Sequence, residues 1–229
     1  MIAVSGNLYG TTYGGGSTGS GTVFRITPSG VETVLHSFKG RDGISPLAGL
    51  TDVNGVLYGT TRDGGAYNYG TVYKITLSGE EKTIHSFSGA DGFEPYASLA
   101  YVDGVLYGTT SGGGTGHCGG TLGCGNVFKM TLTGKETMLH SFNGKDGDYP
   151  MSGLAYQNGE FYGTTVQGGV FQSGTVFKIT PSGVETVLHD FKGGTDASNP
   201  YGGLTYVKGA FYGTTRNGGS GNAGTVFSL

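Results

Sequence analysis

Tryptophan is absent from the 229 residues, cysteine occurs twice, and charged residues make up only 13% of the chain. Without Trp the largest ring for stacking on a sugar is missing. Two cysteines are too few for a disulfide framework or a four-cysteine zinc site. A formal charge of −3 gives no basic field, so nucleic acid is not an expected partner. No apolar run approaches the ~18 residues of a membrane span, and Met1–Gly6 hold no charged segment leading into an apolar one. The chain therefore reads as lacking a span, and a signal peptide removed upstream is compatible with it. Helical periodicity, a nucleophile elbow, a phosphate loop and a metalloprotease helix are also missing.

Glycine is abundant instead, at 49 residues, against about 7% of positions in an average protein. It follows no strict triplet, which excludes collagen and points to many tight turns. Disorder is excluded by the 15 tyrosines and 12 phenylalanines set at regular intervals, which require a core. The regularity is a tandem repeat. Tyr-Gly-Thr-Thr begins at Tyr9, Tyr58, Tyr107, Tyr162 and Tyr212, and Gly-Thr-Val-Phe or a variant ends at Phe24, Tyr73, Phe128, Phe177 and Phe227. His-Ser-Phe or His-Asp-Phe begins only at His36, His85, His140 and His189.

Each unit reads as four short strands, A to D. A and B are joined by Asn54-Gly55 or Asp103-Gly104, residues suited to a type I′ hairpin turn, and C and D by turns such as Pro28-Ser29-Gly30. Four antiparallel strands per ~50 residues predict an all-β, five-bladed β-propeller in one domain, residues 1–229. The expected blades are 1–48, 49–97, 98–152, 153–202 and 203–229, the last lacking its outer strand D. Either one blade has three strands, or the natural protein continues past Leu229, or a neighbouring molecule supplies the strand. Gly10, Gly59, Gly108, Gly163 and Gly213 are expected where adjacent sheets approach closely.

The B–C and D–A loops share one end of the expected ring, which is where loop-borne function belongs. Asp42, Asp91, Asp146 and Asp196 repeat in the D–A loops and read as caps of their own turns rather than calcium ligands, since no Asp-x-Asp-x-Asp run occurs. The four repeated histidines read as scaffold hydrogen-bonding groups, too far apart to share an ion. Cys118 and Cys124, in the insert of the third unit, are expected to form a disulfide, with free thiols as the alternative. No metal or cofactor is expected. Residues that depart from the repeat are the candidate ligand contacts: Tyr67, Asn68, Tyr69, Phe93, Glu94, Tyr96, Asp148, Tyr149, Phe171 and Tyr201. Their rings and polar neighbours suit a glycan. The unique acids Asp63, Glu94, Asp148, Glu160 and Asp190 are the available candidates for two-carboxylate hydrolysis.

With Gly-Thr-Val-Phe, Tyr-Gly-Thr-Thr-x-x-Gly-Gly and His-Ser-Phe on the page, the chain resembles the GloVer-type tandem repeats of bacterial choice-of-anchor proteins over nearly its whole length. The resemblance implies a secreted or surface-anchored protein and no particular activity. The expectation is a non-catalytic extracellular recognition or scaffold module that binds a glycan or cell-surface polymer. The alternatives are a five-bladed glycosidase-like enzyme and a structural protein that self-associates through an open blade edge.

Overall fold

The computed structural model describes residues 1–118 and 123–229. Among the described residues the regular structure is entirely β, and 19 strands form five antiparallel sheets. The first holds β1 (Ile2–Val4), β2 (Asn7–Thr12), β3 (Thr22–Ile26) and β4 (Glu32–Ser37), hydrogen-bonded in that order. The second holds β5 (Thr51–Val53), β6 (Val56–Thr61), β7 (Thr71–Thr76) and β8 (Glu81–Ser86). The third holds β9 (Ala100–Val102), β10 (Val105–Thr110), β11 (Asn126–Thr131) and β12 (Glu136–Ser141). The fourth holds β13 (Ala155–Gln157), β14 (Glu160–Thr165), β15 (Thr175–Ile179) and β16 (Glu185–Asp190). The fifth has three strands, β17 (Thr205–Val207), β18 (Ala210–Thr215) and β19 (Thr225–Ser228), with β19 at its edge.

Local chemistry accounts for the pattern. Asn54 (φ 54°) and Gly55 (φ 81°) both lie in the left-handed region, as a type I′ turn between β5 and β6 requires. In the Thr-Thr pair of strand B the two hydroxyls do different jobs. Thr60 Oγ1 donates to the Ala97 carbonyl at 3.2 Å, while Thr61 Oγ1 lies 2.8 Å from Thr71 Oγ1 on the adjacent strand. The first tether ties one repeat to the next, and the second closes the neck of the B–C loop. Thr164 and Thr165 repeat both contacts, with the Gly202 carbonyl and Thr175.

The strand-B glycines serve a purpose other than the expected close approach of adjacent sheets. Gly59 is paired with Tyr73 within one sheet, and a Cβ on Gly59 would lie 2.5 Å from the Tyr73 hydroxyl. The ring of strand C folds across the neighbouring backbone, so the glycine makes room inside its own sheet. Gly163 does the same for Phe177. A second feature invisible in the motif is a bulge in strand D: Val176 pairs with His189 and Phe177 with Val187, leaving Leu188 unpaired. The same shift occurs between β3 and β4 and between β7 and β8. Bulges of this kind re-aim the following side chain, here the repeated histidine.

The chain divides into two compact units. One comprises Met1–Ser88, Phe93–Leu106 and Met130–Glu136; the other comprises Gly89–Gly92, Tyr107–Lys129 and Thr137–Leu229. In the first, Tyr9, Val23, Phe38, Leu57, Tyr73 and Ile75 form a buried cluster. In the second, Val176, Phe191, Leu204 and Phe211 do so. Successive sheets lock through ring pairs, Phe38 on Tyr73 in the first unit and Phe142 on Phe177 in the second, each edge to face about 5 Å apart.

Candidate functional site

The repeated histidine and aspartate form one hydrogen-bonded group. His36 Nε2 lies 3.0 Å from Asp42 Oδ2, and Asp42 Oδ1 accepts the Lys39 amide at 2.6 Å. The capping role read from the sequence is therefore present, with the imidazole added. A third member, Glu81 at the start of the next strand D, was not foreseen. In the first unit His36, Asp42 and Glu81 bring one ligand atom each within 4.8 Å of one another, and His140, Asp146 and Glu185 do so in the second. Burial pushes the Glu81 and Glu185 carboxyls up to about 7, against help from Thr83 and His140 respectively, with Asp42 and Asp146 adding to the rise. For Asp146 burial works in the opposite direction to the His140 hydrogen bond and the Asn143 amide, and the net effect lowers it. The arrangement offers one nitrogen and two oxygens to a cation. Its recurrence where one strand D meets the preceding D–A loop identifies it as scaffold.

In the first unit the departures from the repeat gather on Arg62. Arg62 Nη2 donates to Glu94 Oε1 at 3.4 Å, its Nε lies 3.7 Å from Asp63 Oδ2, and its guanidinium covers the Tyr96 ring at 5.6 Å. Tyr69 and Phe93 rings stand 5.7 Å apart, and the Glu94 amide donates to the Tyr69 carbonyl at 2.9 Å. Tyr67 is well exposed and Asn68 sits at φ 63°, a conformation Asn tolerates. Five of the candidate residues, Tyr69, Phe93, Glu94, Tyr96 and, through its chain position, Asn68, thus belong to one loop cluster. Its organising cation, Arg62, was missed because it reads as an ordinary loop residue.

The second unit holds a polar cleft of about 380 Å³ lined by His117, Cys118, Asn143, Gly144, Lys145, Asp148, Gln167 and Gln172. Asp148 is 8% exposed, and its Oδ1 is buried with no hydrogen-bond partner. Burial raises its carboxyl to about 6, opposed by the Tyr149 amide. The corresponding positions of the other D–A loops hold Ile44, Phe93 and Ser198, so the repeat does not require an acid here. The cleft is bordered by the Cys118–Cys124 disulfide, as expected from the insert. Both sulfurs are committed to that bond, which removes thiolate ligation beside Asp148.

The remaining candidates lie elsewhere in this unit. Tyr149 adopts φ 57° and donates its amide to the Cys124 carbonyl at 3.2 Å. Phe171 is covered by the Lys192 ammonium at 5.9 Å, and Tyr201 by the Arg216 guanidinium at 5.6 Å. Both rings remain part-exposed. Of the acids considered for hydrolysis, Asp63 and Glu94 come together, but on one guanidinium. Glu160 is held by Lys178 at 3.0 Å, and Asp190 accepts the Val170 amide at 2.8 Å.

No functionally curated protein is significantly similar to the chain. Among solved structures, virginiamycin B lyase from Staphylococcus aureus is similar with a TM-score of 0.63 at 16% identity, covering 100% of this chain and 68% of that one. A streptogramin B lyase follows with a TM-score of 0.58 at 15% identity, covering 93% and 63%. A gluconolactonase from Xanthomonas campestris has a TM-score of 0.55 at 13% identity, covering 90% and 65%. The chain thus spans about two thirds of the length of these proteins, and the likeness is one of fold: a repeat of propeller type. The model of the Gloeobacter/Verrucomicrobia repeat matches residues 1–122 and again 117–229, and with the whole sequence accounted for, the chain belongs to that family.

Proposed function

We propose that the chain is a non-catalytic recognition propeller of five blades, acting outside the cell, and that its loop end binds a saccharide in the cleft containing Asp148. The observation that carries this reading is a buried carboxylate oxygen without a partner, bordered by His117, Asn143, Lys145, Gln167 and Gln172. Leaving such an oxygen unpaired is costly, and a ligand hydroxyl would satisfy it. Side chains that both donate and accept, rather than a cationic cluster, match a polyol better than a phosphate. The disulfide fits an oxidising compartment.

Hydrolysis by two carboxylates has less support, because Asp63 and Glu94 are both held on Arg62, while Asp148 is the one acid among the residues lining its cleft. The similar lyase and lactonase structures share too little sequence to carry an activity. A glycan array probed with the intact protein, followed by calorimetric titration of the best binders, tests the reading. Saturable binding that Asp148→Ala weakens at least tenfold supports it; absence of binding to any saccharide overturns it.

A further inference from the structure

The two groups of histidine, aspartate and glutamate at the seams between repeats hold more than a turn cap needs. Asp42 caps its loop with Oδ1, on the Lys39 amide, and turns Oδ2 to His36. Asp146 does the same with the Asn143 amide at 2.9 Å and His140 at 3.1 Å, its Oδ2 also accepting the Asn143 side-chain amide at 2.8 Å. Each imidazole is steadied by the phenylalanine two positions on. His36 meets Phe38 and His140 meets Phe142 edge to face, both with centroids 4.9 Å apart. The pair of each seam is thus in place before the next repeat brings its glutamate.

The glutamates are the members that turns and pairing leave unexplained. Glu185 Oε1 is buried with no hydrogen-bond partner, so the protein does not offset its loss of water. Glu81 receives one hydroxyl, Thr83 Oγ1 at 3.2 Å. Each glutamate brings a ligand atom within 4.8 Å of an aspartate oxygen, and two carboxylates that close repel when both are ionised. A cation between them removes that cost. Ligand bonds to zinc are about 2.0–2.2 Å long, so two ligands of one tetrahedral ion stand roughly 3.3–3.6 Å apart. The imidazole nitrogen and the aspartate oxygen already lie 3.0 Å and 3.1 Å apart, and a rotation of the long glutamate side chain brings in the third atom. His36 and Asp42 are 18% and 21% exposed, and His140 and Asp146 20% and 15%, which shelters an ion yet lets water reach its open position.

We infer that each of these two groups binds a divalent transition-metal ion of the zinc type, held by His36, Asp42 and Glu81 in the first unit and by His140, Asp146 and Glu185 in the second. One imidazole nitrogen with two carboxylate oxygens favours such an ion over calcium, which takes six to eight oxygens. Thiolates do not compete for it, because both cysteines are joined to each other. The ion gives Glu185 Oε1 the partner it lacks. Its role is structural, in keeping with the recurrence of the group. The histidine and aspartate belong to one repeat and the glutamate to the following one, so the ion ties the seam and stabilises the folded chain by linkage.

The probe is zinc chloride, titrated into the chelator-treated, disulfide-intact full chain in competition with a chromophoric chelator, with thermal melts in its presence and absence. Saturable binding of two equivalents or more and a raised Tm are expected. Glu81→Gln and Glu185→Gln should each remove one equivalent, and the double variant should lose most of the rise in Tm while keeping the wild-type circular dichroism. Calcium and magnesium at the same concentration should leave the Tm unchanged. Histidine NMR of the wild type gives a reading that needs no variant: the His36 and His140 ring signals should move on zinc addition. Absence of binding at millimolar zinc, unmoved histidine signals, or an equal response to calcium overturns the inference. So does binding whose stoichiometry and effect on Tm survive in the double variant, which would place the ion on other groups such as the exposed His117.

Discussion

Asp148 and Gln167 exchange both of their backbone hydrogen bonds, the Asp148 amide donating to the Gln167 carbonyl at 2.8 Å and the Gln167 amide returning to the Asp148 carbonyl at 3.0 Å. This isolated bridge joins a D–A loop to the following B–C loop, and it also sets the Asp148 side chain beside the polar cleft. The equivalent bridge between Ile44 and Asp63 carries no acid on its D–A side. One scaffold contact therefore serves as the mount for a residue that varies.

Asp148→Asn should alter the pH dependence of stability. The folded carboxyl titrates at about 6, above its ordinary value. The wild type thus keeps its full contribution below about pH 4 and loses it as pH rises through about 6. The Asn variant removes that loss: its Tm should match or exceed the wild type at about pH 8, with no gain at about pH 4. Thermal melts across this range check it, and a gain confined to acid pH would refute the assignment.

The two half-buried glutamates make a larger prediction of the same sign. Glu81 and Glu185 are raised to about 7, so their contribution is complete below the ordinary glutamate range and disappears as pH climbs through about 7. Glu81→Gln combined with Glu185→Gln should flatten the fall in Tm between about pH 5 and pH 8. Urea denaturation at both values provides an independent reading.

The disulfide spans only six positions, so its removal should cost modestly, roughly 2 kcal/mol in the chain-entropy picture. Cys118→Ser with Cys124→Ser should weaken saccharide binding more visibly than stability, since Cys118 borders the Asp148 cleft. Calorimetric titration with and without a reductant separates the two effects.

Equivalent glycines should respond unequally to alanine. Gly183 (φ 96°) would place its Cβ 2.5 Å from the Leu139 carbonyl oxygen, a backbone atom that cannot swing aside. Gly30 (φ 82°), at the same turn position in the first repeat, faces open space. Gly30→Ala should cost about 1 kcal/mol from the backbone conformation alone, and Gly183→Ala about 2 kcal/mol or more. Equal losses in chemical denaturation would show that the contact does not matter.

The hairpins were legible because Asn-Gly and Asp-Gly demand positive φ at both turn positions, and Asn54, Gly55, Asp103 and Gly104 have it. The disulfide was legible from an insert found in one unit. The Leu188 bulge was not, because it changes pairing without changing the period-two pattern around His189. Glu81 and Arg62 escaped for another reason. Each acts on a residue far along the chain, Asp42 and Glu94, and neither spacing belongs to a local motif.

The sequence by itself determined the repeat, the strands and their turns, because these depend on residues within a few positions of one another. It also marked which loop residues were free to vary. Tertiary structure alone decided which of those residues are buried and which are held by a partner, since burial and partner geometry are long-range properties. Asp148 and Glu94 look alike as loop acids, yet one is sunk in a cleft with an unpaired oxygen and the other is held by a guanidinium.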